Sequence, residues 1–375
     1  MLLIGNLDAE VELSGRRHET LPPRVLRGIS ALAGLMSALG QDGDALWTPA
    51  AVDPARWVWP TGRGGLARVV PVVGNLVDAA GNTDDRAALA WCQTRSVTSV
   101  FGGSDPAVVA RVNHRRFGHE LEVQMGVAPA TAHLVSSVDE VERAAAGWPG
   151  DRSWIVKAPM SAAGRLRLRR RGPTLDDPAR ARVRRLLDRF GELLFEPWLE
   201  RVRDLGCCGR VAEAGDIDID LPHAIHADEV GIVRGIDIGP AVVESQTRDA
   251  LVQTARATGT ALHNQGYRGP FGIDAFEYVD DRGQRQLRPL VEINARHTFG
   301  SIAAAVARRI APGAPCRLVL ATADPRHAVE PRPDRRRIEL VAPSPTDGTQ
   351  AWLELEPVAS DATAASGARR AITAT

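Results

Sequence analysis

Lysine is almost absent from this chain. Of the 46 basic side chains in its 375 residues, 45 are arginine, and Lys157 is the only lysine. A drift from lysine to arginine alongside many Ala, Gly and Pro residues is what a GC-rich coding background produces, so the bias itself carries little mechanism. The exception to it is the residue to follow. Cysteine is scarce as well. Cys92, Cys207, Cys208 and Cys316 are too few to make a disulfide framework in a chain this long, and none sits in a CxxC pair of the kind that holds zinc. The adjacent Cys207 and Cys208 read as small hydrophobes on opposite faces of a strand. No run of about 18 uncharged apolar residues is present to span a bilayer. The first residues, Met1-Leu2-Leu3-Ile4-Gly5-Asn6, lack a basic stretch before their apolar ones. A soluble, cytoplasmic protein with no membrane partner is expected. Excess charge is missing too: 46 acidic residues balance 46 basic ones, which removes any global pull toward nucleic acid.

What is present is enough apolar content, 44%, to build cores for two to three domains. Residues 1–110 hold short apolar runs at 2–4, 69–73 and 97–101, separated by helix-like and turn-rich segments such as 24–39, the alternation of a small α/β domain with a mostly parallel sheet. Residues 105–124 are helical in pattern, closed by Gly126-Val127-Ala128-Pro129. Ser137 and Glu140 have the spacing of a capping box for the next helix. Residues 154–157 read as a strand followed by the small-residue loop 161–164 and an arginine-rich stretch, 165–171. A helix over 177–190, a strand over 193–196 and a helix over 245–264 follow. The Ala-, Thr- and Ser-rich segment 360–375 has no periodicity and is expected to be a disordered tail.

The most informative segment is a pair of strand-like arms, 267–278 and 290–296, around a turn at Arg282-Gly283. Alternation in the second arm puts Val291, Ile293 and Ala295 on one face and Glu292, Asn294 and Arg296 on the other. If the hairpin is symmetric about Gly283, Asp274 stands opposite Glu292. Two opposed carboxylates repel each other unless a cation lies between them. With the Asn294 side-chain oxygen they make an all-oxygen set of the kind magnesium takes alongside phosphate.

Here the sequence resembles the ATP-grasp superfamily over about residues 113–300. Glu292-Ile293-Asn294-Ala295-Arg296 is similar to the family's E-x-N-x-R strand, and Gly272-Ile273-Asp274 to the strand with the other acidic ligand. The resemblance implies Asp274, Glu292 and Asn294 as metal residues, and Arg296 as the group that steadies the transferring phosphoryl or acyl phosphate. Ile155-Val156-Lys157-Ala158-Pro159 resembles the strand whose lysine reaches the nucleotide phosphates, a task suited to a compact charge on a flexible stem. The loop 161–164, with Gly164 and then Arg165, resembles the segment that covers the triphosphate. Leu194-Phe195-Glu196-Pro197-Trp198-Leu199 is similar to the hinge of D-alanine:D-alanine ligases, which implies adenine contacts from Glu196 and the Leu199 backbone. Asp204, with Glu200 as alternative, is the implied ribose partner, and Arg115 an early phosphate contact.

The implied fold is mixed α/β and α+β: an ATP-grasp fold with an N-terminal α/β domain (1–110), a central subdomain with the triphosphate loop (111–195) and a C-terminal subdomain with the metal hairpin (196–350). The implied activity is an ATP- and Mg2+-dependent ligase, Mn2+ being the alternative metal. Such an enzyme activates a carboxylate as its acyl phosphate for attack by an amine, with Lys157 and Arg296 as the catalytic cations. Small-molecule carboxylate and amine substrates are implied, a homodimer is compatible, and no nucleic-acid partner is expected, because the arginine stretch 165–171 lacks interleaved aromatics. The alternatives are a non-catalytic ATP-binding scaffold and an ATP-grasp small-molecule kinase.

Overall fold

The computed structural model describes residues 1–15, 21–60, 65–81, 87–160, 166–229, 231–321, 329 and 332–356. Gly164, Arg165 and the tail 360–375 lie outside the described residues.

Strands β1 (Leu2–Ile4), β2 (Ala45–Trp47), β3 (Val70–Val72) and β4 (Ala88–Ala90) form a parallel sheet in the order β3-β2-β1-β4. Among them run α1 (Ala9–Leu13), α2 (Pro23–Leu32) and α3 (Leu76–Gly81), with α4 (Arg95–Phe101) after β4. Leu2, Leu3 and Ile4 are all fully buried, as a central parallel strand covered on both faces requires. The apolar run 97–101, which sits among the strand-like runs of the sequence, is instead the second half of α4. Thr98 donates its N–H to the Thr94 carbonyl, and Gly102 at φ 73° ends the helix. Five apolar residues cannot by themselves tell a strand from a buried helical turn. The helical region 105–124 is two helices, α5 (Pro106–Val112) and α6 (Arg115–Gln124), because His114 breaks the run and caps α6 through its ring nitrogen.

A second, antiparallel sheet has the order β5-β8-β6-β7: β5 (His133–Val135), β6 (Ser153–Lys157), β7 (Arg167–Arg171) and β8 (Leu193–Pro197). Helices α7 (Val138–Ala146) and α8 (Asp177–Phe190) cover one face. The α8 helix is written plainly into its sequence. Asp176 caps it by accepting from the Ala179 N–H, Pro178 occupies its first turn, Gly191 ends it in the left-handed region, and Ala179, Val183, Leu186 and Leu187 supply the buried stripe. That stripe meets Trp154, Val156 and Phe195, with Trp154 and Phe195 stacked at 5.1 Å. Removing a buried aromatic of this kind costs about 3–5 kcal/mol. The predicted capping box on α7 is half formed: Ser137 accepts from the Glu140 N–H, but the Glu140 carboxylate accepts from Ser136, one residue earlier than the motif requires.

Among the described residues the third sheet has nine strands. β9 (Glu200–Val211) carries the short β10 (Ile217–Ile219) and is flanked by β11 (His223–Ala227) and the hairpin β13 (Gly269–Val279) and β14 (Arg285–Asn294). β12 (Val233–Ile238), β15 (Cys316–Ala321), β17 (Gln350–Leu355) and β16 (Arg336–Val341) extend it on the far side. α9 (Ser245–Asn264) and α10 (Phe299–Ile310) pack against this sheet. His223 is buried between Gly206 and Gly300, where a Cβ on either glycine would lie 2.5 Å or less from its ring; burial lowers its pKa to about 4. All four cysteines are free and buried, with Cys207 and Cys208 on alternate faces of β9 as expected.

Candidate active site

The sheet pattern settles which side chains of the second sheet turn away from the core under α7 and α8. In β6, Trp154 and Val156 enter the core under α7 and α8, so Ile155 and Lys157 point the other way. In the adjacent β8, Phe195 is in that core and Glu196, paired in register with Ile155, shares the Lys157 face. The Lys157 ammonium is buried and ion-paired with the Glu196 carboxylate. Burial pulls the lysine down to about 8, with Glu196 opposing that pull and Arg115 and Arg288 adding to it. Burial acts to raise Glu196, yet Lys157 and then Arg288 outweigh it and hold the carboxylate well below its ordinary range. The asymmetry has a plain cause: the acid has two cations against it, the ammonium one carboxylate and two nearby guanidiniums.

The hairpin delivers the acids. Asp274 stands opposite Glu292 in the β13–β14 ladder, Ile273 opposite Ile293 and Gly272 opposite Asn294. Symmetry about Gly283 therefore identifies the right pair, although nearer the turn the pairing is Phe276 with Arg288, not with residue 290. Two extra residues in β14 around Pro289 shift the register between these pairs, and an edge strand tolerates a proline that donates no ladder bond. Burial, then Glu292, pushes the Asp274 carboxyl up to about 7. Asn294 donates to Asp274 at 3.3 Å, and its oxygen accepts from Arg296 at 2.8 Å. Arg296 is also ion-paired with Glu10 of α1, donates to the His297 carbonyl and lies 5.8 Å from the Trp91 ring centre. Among the described residues no three His, Cys, Asp or Glu side chains form a metal cage; the oxygen set is two carboxylates and an amide. Two opposed carboxylates, one of them strained toward its neutral form, are a donor set that a divalent cation suits.

Arg115 joins the two halves. Its guanidinium donates to the Ala158 carbonyl, next to Lys157, at 2.9 Å and meets the Glu292 carboxylate at 3.0 Å. The structure thus links Lys157, Glu196, Arg115, Glu292, Asp274, Asn294 and Arg296 in one continuous set of contacts. Leu199 lies in the two-residue link, Trp198-Leu199, by which the chain passes from β8 into β9. Asp204 is on β9, paired with Arg201 at 2.8 Å.

Several residues at the site carried no motif. Arg288 bridges Glu122 of α6 and Glu196. It precedes Glu292 on the same strand, a position sequence alone could have flagged as part of the hairpin. Glu10 and Glu122 had no such signal, since their partners are brought in by docking. An aromatic missing from the arginine stretch is supplied by the fold: Arg169 lies over the Trp198 ring at 4.2 Å and Arg167 at 5.9 Å.

This arrangement, with two antiparallel sheets that carry the site residues and an N-terminal parallel sheet, is the ATP-grasp fold. Particular solved structures share it along nearly their whole length. Biotin carboxylase from Campylobacter jejuni, solved as a β,γ-ATP complex, is 12% identical with a TM-score of 0.62, covering 97% of this chain and 89% of that one. The biotin carboxylase domain dimer of Hydrogenobacter thermophilus 2-oxoglutarate carboxylase, solved with MgADP, ADP and bicarbonate, is 14% identical with a TM-score of 0.60, covering 95% and 86%. N5-carboxyaminoimidazole ribonucleotide synthetase from Thermus thermophilus is 13% identical with a TM-score of 0.58, covering 100% and 99%. No family model and no curated protein matches the chain.

Proposed function

We propose that this chain is an ATP-dependent, ADP-forming ligase that activates a small carboxylate as its acyl phosphate and passes the acyl group to an amine. The observation that carries the reading is Arg115, whose one guanidinium touches both the end of the lysine strand and Glu292. A triphosphate lying along that guanidinium has the Lys157 ammonium on one side and the acidic pair on the other. Neighbours solved with ATP or with MgADP support the same choice of nucleotide and metal.

Asp274, Glu292 and the Asn294 oxygen would hold Mg2+, which supplies neutralisation of the phosphate oxygens. The remaining work belongs to the chain's own groups. Lys157 and Arg115 orient the phosphates and offset their charge. Arg296 exchanges its contact with Glu10 for the substrate carboxylate or the phosphoryl group in transfer. No covalent protein nucleophile is needed, because alignment and charge stabilisation account for most of the rate in this chemistry.

The test is to incubate the protein with MgATP and a matrix of carboxylic acids and amines while following ADP, AMP and products. ADP and phosphate formed only when both acid and amine are present is the expected result. AMP with pyrophosphate would sink the acyl-phosphate route, and a stable phosphorylated product from one substrate alone would make the chain a kinase.

A further inference from the structure

Among the described residues Glu196 is the one carboxylate that touches Lys157, and it does not hold that place unaided. Arg288 reaches from β14 to α6 and β8, its Nε and one terminal nitrogen donating to Glu122 at 2.9 and 3.1 Å, and that terminal nitrogen also donating to Glu196 Oε2 at 3.0 Å. All four groups, Glu122, Arg288, Glu196 and Lys157, are buried. The network spans α6, β14, β8 and β6, residues as far apart as 166 positions. Its division of labour is specific: Oε2 of Glu196 belongs to Arg288, and Oε1 to Lys157.

An ammonium has three donors and no acceptor. A carboxylate free to rotate can engage it with both oxygens and draw it down onto itself. One whose second oxygen is fixed offers a single acceptor and leaves two N–H groups for another anion. A guanidinium suits the fixing role because its planar fork sets direction as well as charge.

We propose that Arg288 is a positioning residue which acts through Glu196 to hold Lys157 at a single carboxylate oxygen, leaving its other donors for an incoming anion. The consequence for a bound phosphate rests on the nucleotide reading above, whereas the action of Arg288 on Lys157 does not. The charged groups around the lysine are Glu196 on β8, Arg115 and Glu122 on α6, Arg288 on β14, and Arg167, its cross-strand neighbour on β7. Of these only Glu196 makes direct contact with the ammonium among the described residues, so freeing Glu196 changes the lysine's surroundings most.

The rarity of lysine supplies the measurement. The 375-residue chain labelled with [ε-13C]lysine gives one side-chain resonance, that of Lys157. It is titrated in the natural protein and in Arg288→Met/Glu122→Gln, a pair that removes a buried cation together with its second acid and leaves neither unpaired. The expected midpoint moves upward by about half to one pH unit in the variant, as the lysine loses a repelling cation and gains the whole carboxylate. The tripolyphosphate concentration needed to shift the resonance is expected to rise about tenfold, the loss of roughly one charge-assisted hydrogen bond. An unchanged tripolyphosphate response in the folded variant overturns the positioning role, because removal of a distant charge alone moves the midpoint but not the aim of the ammonium. If the double variant fails to fold, Arg288→Gln is titrated in its place, with shifts of the same sign expected and the same unchanged response decisive against the role. ATP failing to perturb the natural protein's resonance while tripolyphosphate does would remove the nucleotide reading and leave the positioning role standing.

Discussion

Asp274 and Glu292 oppose each other across a ladder, and burial followed by the neighbouring charge holds the Asp274 carboxyl near 7. A folded-state value above the ordinary one means that the folded protein binds the proton more tightly. The stability this contributes is complete below about pH 4 and is lost as pH rises through about 7. Asp274→Asn cannot ionise, so in chelator-treated protein it is expected to be more stable than the natural chain at pH 8 by about 1–2 kcal/mol, discounted for the solvent that reaches a partly buried carboxyl. At pH 4.5 the two are expected to converge, and Mg2+ should stabilise the natural protein and not the variant. Urea unfolding at the two pH values checks this; a variant no more stable at pH 8 would mean that the acids do not strain each other. At this scale the sequence was legible where chemistry is carried by type and spacing: a lone lysine on a strand, and acids at equal distances from a turn. It was not legible for Glu10, Glu122 and the role of Arg288, whose partners lie 92 to 286 residues away. No periodicity encodes which elements dock.

Among elements, α8 and α9 match their sequence-predicted spans: in α8 cap, stripe and stop signals agree, while α9 has its buried stripe and the Gln265-Gly266 stop without a side-chain cap. The strand-like reading of 97–101 failed because five apolar residues fit either state until Gly102 and the Thr94 carbonyl decide it. One element boundary bears directly on the site. Thr298 caps α10 two residues after Arg296: its hydroxyl accepts from the Ser301 N–H while Ser301 reciprocates on the Thr298 N–H, and Cys208 touches the same hydroxyl at 3.2 Å. Thr298→Ala is expected to lower stability by about 1 kcal/mol. Because the cap fixes where the chain leaves β14, the same change should raise the KM for the carboxylate more than that for ATP. Thr298→Ser, which keeps the hydroxyl, is expected to restore both. Denaturation and steady-state kinetics on the three proteins check the pair of effects; equal KM changes for both substrates would detach the cap from Arg296.

For the whole molecule, the two halves of the site sit on different sheets. Lys157 and Glu196 belong to the β5–β8 sheet and the acids to the β9–β17 sheet, with Trp198-Leu199 as the chain's passage between them. The sequence division at 195/196 groups Glu196 with the hairpin segment, whereas β8 runs through Pro197 and holds Glu196 in the sheet of Lys157. Motif order gave no account of the N-terminal segment, whose α1 contributes Glu10 to Arg296 and whose Trp91 carbonyl, just beyond β4, accepts the His297 N–H. A ligand that binds only the folded protein stabilises it by about 2.7 kcal/mol at one hundred times its Kd. In a site divided this way, that stabilisation should appear in both sheets together. MgATP is therefore expected to slow hydrogen exchange at the amides of β6 and of β14 by the same order, about a hundredfold where exchange proceeds through global opening. Glu292→Gln should remove the protection in both places, since metal and phosphate contacts depend on each other. Protection confined to β6 would place the nucleotide on the lysine sheet alone, and the acidic hairpin would then need another ligand.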